Sequence, residues 1–164
     1  MKILPSPKYA PVIMGLATVE ACEHFARNAT GRKDLVKQAL ARAAELTAHT
    51  RREAINANAS GMLCDTEPEH DAWRALFAYE AALADKHDRK VLATYTRRSI
   101  SKRGIIRAVE RTVVNGTDET KGFALMADLG LLDLCFEATV LRFPDSYSAE
   151  AVVIAEERLK RHRP

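Results

Sequence analysis

The chain has 164 residues, 47% hydrophobic and 29% charged, a balance that excludes disorder and points to one folded domain over residues 1–164. Aromatic residues supply only 6%, so the core must come from Ala, Leu, Val and Ile, a composition that favours closely packed helices. The net charge of +3 hides an uneven layout: residues 27–52 carry +5, 53–85 carry −6, 86–111 carry +7 and 112–164 carry −3.

Residues 1–10 read as an extended arm, because Pro5, Pro7 and Pro11 interrupt the apolar run that a signal peptide would need. Pro11 opens a first helix expected to reach about Arg27, and Asn28 to Gly31 breaks it. A second helix begins at Thr30 or Gly31 and carries Leu35, Val36, Ala39, Leu40 and Ala43 on one face. It is expected to end near Ala54, and the Asn, Ser and Gly content of residues 55–65 reads as a loop. Thr66-x-x-Glu69 is a capping box with Pro68 in the first turn, so a third helix starts there. It carries Trp73, Leu76, Phe77 and Leu83 and ends near His87 or Arg89.

Residues 91–116 admit two readings. Either one helix ends at Gly104 and another begins at Ile105, or a single helix runs through Gly104 at a cost of about 1 kcal/mol relative to Ala. Asn115-Gly116 stops the segment in both. Residues 119–129 form a short helix closed by Gly130, and residues 131–142 are apolar nearly all round, as a buried helix would be. Ser148 caps a last amphipathic helix ending in Lys160, Arg161 and Arg163. Val91 to Tyr95 would suit a strand but has no mate. The predicted fold is therefore all-α, a compact bundle or array of about six to seven helices.

The densest chemical signal is the basic run Arg97, Arg98, Lys102, Arg103, Arg107 and Arg111, with Thr96, Ser99 and Ser101 between its members. If the helix were continuous across Gly104, Arg103, Arg107 and Arg111 would align on successive turns. Guanidinium forks and hydroxyl donors are what a phosphate backbone needs. Tyr95 would add a stacking surface for a single strand. The basic side of the second helix, Arg32, Lys33, Lys37 and Arg42, is an auxiliary contact. Gly104 occupies the place of a helix-turn-helix glycine, but Ile100 before it and Glu110 after it do not fit that motif.

Two other readings compete. The acidic 53–85 block could meet the basic 86–111 block of another copy or another protein, giving an interaction module, a homo-oligomer or a larger assembly. Glu80, Glu110 and Glu137 lie on or beside apolar faces and could be general acids or bases. Alternatively each pairs with an arginine such as Arg74, Arg97 or Arg142. Only Glu67-x-x-His70 has the spacing of helical di-metal sites, and it falls in a capping turn, so no metal and no cofactor are expected. No phosphate-binding loop, dinucleotide fingerprint, nucleophile elbow or zinc spacing occurs, and no catalytic residue is assigned. Cys22, Cys64 and Cys135 are too few and too scattered for a disulfide framework, which points to a cytoplasmic protein with Cys135 in its core. No apolar run is long enough to span a bilayer, so no membrane partner is expected. The expected function is a non-enzymatic protein that binds DNA or RNA, alone or as a subunit of a larger complex.

Overall fold

A computed structural model describes residues 10–116 and 121–162. The expected arm at 1–10, apart from Ala10, and Arg163 at the expected end of the last helix lie outside them. The described residues contain nine α-helices, two short 3-10 turns and no strand. The all-α expectation therefore holds, and Val91 to Tyr95 leads into a helix rather than forming a strand. The count exceeds six to seven because the segments 11–27 and 91–116 each divide in two. The chain groups into two compact units, Met1–Glu53 and Ala54–Pro164.

In the first unit, α1 (Ala10–Met14) is followed by α2 (Val19–Asn28). The division comes from Thr18, whose extended backbone and hydroxyl cap α2 by accepting the Ala21 N–H at 3.1 Å. Ile13, Cys22, Leu35, Ala39 and Ala43 are buried. The long α3 (Lys33–Ser60) begins in this unit and passes through the segment expected to be a loop. Ile55 and Ala59, one turn apart, are both buried. That burial and the interspersed alanines outweigh the weak helix propensity of Asn56 and Asn58, and the helix stops only before Gly61.

The second unit is organised around α4 (Glu67–His87). Its capping box is complete: Glu69 N–H donates to the Thr66 hydroxyl at 3.4 Å, and the Glu69 carboxylate accepts from Thr66 N–H at 3.1 Å. α5 (Thr94–Arg103) and α6 (Ile105–Asn115) are separated by Gly104 alone, at φ 81° and ψ 164°. α7 (Lys121–Asp128) closes at Gly130 as expected, where Leu131 N–H reaches Met126 O at 2.8 Å and Gly130 N–H reaches Ala127 O at 3.0 Å. The apolar 131–142 stretch is not one helix. Leu132–Leu134 is a 3-10 turn, Cys135 is extended, and α8 (Phe136–Arg142) follows. After a second 3-10 turn, Pro144–Ser146, the Ser148 hydroxyl accepts Ala151 N–H at 3.2 Å and caps α9 (Ala149–His162).

The core of this unit has two clusters. One joins α4, α6, α8 and α9 through Leu76, Val109, Val113, Val140 and Ala155; the other joins α3, α4, α7, α8 and α9 through Ile55, Ala82, Phe123, Met126, Ala138 and Leu159. Ala72, Ala75, Ala78 and Ala82 leave α4 narrow on both faces, so neighbours approach it from two sides. Buried charges are met internally: Asp71 is held by Arg74 and by Arg142, the latter at 2.7 Å.

Candidate nucleic-acid interface

Each cation of the 97–111 run is placed by α5, by α6 or by the joint between them. Arg97 is committed within the fold. Its Nε and Nη2 donate to Glu80 on α4 at 2.6 and 2.7 Å, and its guanidinium lies 5.7 Å from the centre of the Phe77 ring. Glu80 also accepts Ala93 N–H at 2.9 Å, so the pair ties the start of α5 to α4. The hydrogen bond to Glu80 raises the pKa of Arg97 above the ordinary arginine value. Arg98 and Lys102, four residues apart, share an exposed face of α5.

Gly104 breaks the helix, so the three-turn ridge of Arg103, Arg107 and Arg111 does not exist on one helix. The break still brings these arginines together, because all three line a single groove of about 480 Å³. Glu110 and Glu150 line it as well, leaving three guanidinium groups against two carboxylates. Glu110 accepts Ser148 N–H at 2.7 Å. The Ser148 hydroxyl, then its backbone N–H, holds the Glu110 carboxyl below the ordinary range; burial opposes this and the Arg107 charge assists it. Among the described residues Arg98, Lys102, Arg103, Arg107 and Arg111 make no ion pair.

The auxiliary set belongs to the first unit, and none of it lines the groove. Lys33 and Lys37 are exposed one turn apart on α3. Arg32 is paired with Asp34 at 3.2 Å, and Arg42 with Glu45 at 3.2 Å and Leu16 O at 3.4 Å.

The three mid-helix glutamates do not form a common site. Glu80 is bound by Arg97, Glu110 by Ser148, and Glu137 by Arg158 at 2.6 Å. Arg158 is itself buried, and it also donates to Val113 O at 3.2 Å and Gly116 O at 2.7 Å at the end of α6. The acidic block is likewise partly consumed inside, Asp71 and Glu80 in ion pairs and Glu69 in the capping box. Among the described residues no group of three His, Cys, Asp or Glu side chains is placed to hold a metal ion, and no helix is long and apolar enough to cross a membrane.

A second concavity adjoins the groove and was not anticipated from the sequence. It is a cleft of about 560 Å³ between α4, α5, α6, α7, α8 and α9. Tyr95, Thr96 and Ser99 face it from α5, and Arg111, Thr112 and Asn115 from α6. Both triplets repeat the i, i+1, i+4 spacing of one helix face, a signal present in the sequence but carried mainly by polar residues that hydrophobic patterning passes over. Gly122 admits the Tyr79 ring: a Cβ there would sit 2.9 Å from Tyr79 Cε2. Cys135 also borders the cleft, but burial first and the Glu137 charge second push its thiol far up, which disfavours the thiolate that a nucleophile needs. Arg111 lines both the cleft and the arginine groove.

Comparison with protein-family models, with curated proteins and with solved structures returns no match.

Proposed function

We propose that this protein binds DNA or RNA through the phosphate backbone, using the exposed cations of α5 and α6. The observation that carries this reading is the convergence of Arg103, Arg107 and Arg111, from two helices, on one groove. Guanidinium groups so placed offer forked donors to successive phosphates. Three guanidinium groups against the two carboxylates of Glu110 and Glu150 leave the groove positive, with Glu110 kept ionised by Ser148. Arg98 and Lys102 extend the basic surface along α5. Arg97 is outside this set, because Glu80 holds it. The protein acts in the cytoplasm, where its three free cysteines stay reduced, alone or within a larger assembly.

The test is an anisotropy titration with labelled oligonucleotides over a range of salt. Five phosphate contacts correspond to a log–log salt slope of about −3.5 for a single strand and about −4.5 for a duplex. Raising salt from about 50 to about 200 mM then weakens binding roughly a hundred- to five-hundred-fold. Arg107→Gln lowers the slope by somewhat less than about one unit. An absence of binding at low salt, or an affinity indifferent to salt, overturns the proposal.

A further inference from the structure

The cleft beside the arginine groove differs from it in lining, aromatic where the groove is charged. Its volume of about 560 Å³ falls within the range of small-ligand sites, about 300–1,000 Å³. Its apolar lining is largely aromatic and thioether: Tyr79, Tyr95, Phe123, Phe136 and Met126. Such walls favour a flat aromatic body, through stacking and sulfur–ring contact. Thr96 and Asn115 add groups that both donate and accept, which suits the mixed edge of a heterocycle.

The charge in the cleft is also sorted. Its inner ion pair is closed, since Arg158 is engaged by Glu137, Val113 O and Gly116 O. The interior therefore favours a neutral ring. The exposed cation is Arg111, which is shared with the groove that Arg107 and Arg103 continue. Tyr95, 86% exposed, offers a ring face at the cleft's outer edge.

We infer that the cleft receives the aromatic base of a nucleotide unit whose phosphate lies on Arg111. When the unit belongs to a single strand, the neighbouring phosphates run on to Arg107 and Arg103. The inference deepens the phosphate-binding reading and rests on it for the groove half of the contact. It makes the protein a binder of single strands rather than of duplexes, because a paired base cannot enter the cleft.

The experiment compares three labelled probes of equal length: a mixed-sequence single strand, the same strand with abasic residues, and a duplex. Calorimetry with a free mononucleotide accompanies them. The intact strand should bind more tightly than the abasic strand or the duplex at the same salt. Tyr95→Ala, at an exposed position, should weaken the intact strand about five- to hundred-fold and leave the abasic strand and the salt slope unchanged. Gly122→Ala, which pushes the Tyr79 ring aside from within a helix, should act in the same direction. Equal binding of intact and abasic strands, with Tyr95→Ala silent, overturns the cleft inference and leaves the phosphate reading standing. Binding of the mononucleotide with no binding of any strand keeps the cleft as a free-nucleotide site and overturns the phosphate track. No binding of any probe overturns both.

Discussion

Gly104→Ala separates the two readings that the sequence leaves open, because they predict opposite signs. At φ 81° and ψ 164°, Gly104 occupies a region of backbone space that is essentially restricted to glycine. A Cβ at this position would meet nothing within 4 Å, so the substitution introduces no clash and its effect is conformational alone. Holding a non-glycine residue there costs about 1–3 kcal/mol. Were the chain helical through this point, the same change would instead stabilise it by about 1 kcal/mol. Urea unfolding followed by far-ultraviolet circular dichroism resolves the difference. A loss of about 2 kcal/mol moves the midpoint down by roughly 1 M at an ordinary denaturant dependence. Replacing Gly104 with D-alanine by semisynthesis should restore most of the loss, since the mirror-image residue favours positive φ. A Gly104→Ala protein as stable as the parent, or more so, refutes the broken-helix geometry and with it the placement of Arg103 beside Arg107 and Arg111.

Two further outcomes follow from the ion pairs and hydrogen bonds of the second unit. Arg158→Met leaves the Glu137 carboxylate buried without its cation and should cost about 3–5 kcal/mol, while Glu137→Leu combined with Arg158→Met should recover most of that loss; a single-variant cost below about 1 kcal/mol in the same unfolding assay counts against a desolvated pair. Glu110 has its folded pKa held below the ordinary value of 4.5 by Ser148, so its contribution to stability is present above that value and is lost as pH falls through the lower, folded pKa. The stability gap between the parent and Glu110→Gln should therefore be constant above about pH 5.5 and narrow in acid; a gap that does not change with pH removes the role given to Ser148.

Several elements were legible because their signals are local. Thr66 with Glu69, Gly130 and Ser148 each act within a turn of themselves, so the starts of α4 and α9 and the end of α7 could be placed from the sequence. Thr18 uses the same chemistry but escaped notice, because Pro11 reads as opening one helix that runs to about Arg27. The extension of α3 past Ala54 depends on burial of Ile55 and Ala59, which composition does not report. Tyr95, Thr96, Ser99 and Arg111 were legible as parts of a basic, hydroxyl-bearing run, but that they border a cleft depends on α4, α7, α8 and α9, which the run itself does not encode.

The alternation of basic and acidic blocks, the helical class and the caps were determined by the sequence alone, since charge counts, periodicity and side-chain-to-backbone hydrogen bonds depend on residues near one another. Which cations remain available to a partner was decided by tertiary structure. Arg97 is taken by Glu80, 17 residues away, Arg158 by Glu137, 21 away, and Arg142 by Asp71, 71 away. No local pattern encodes such pairings. They exist because a carboxylate buried among alanines and aromatic rings must find a cation wherever the fold brings one near. The same holds for Gly104, where the residue permits both a helix and a break, and packing of α6 against α4, α8 and α9 selects the break.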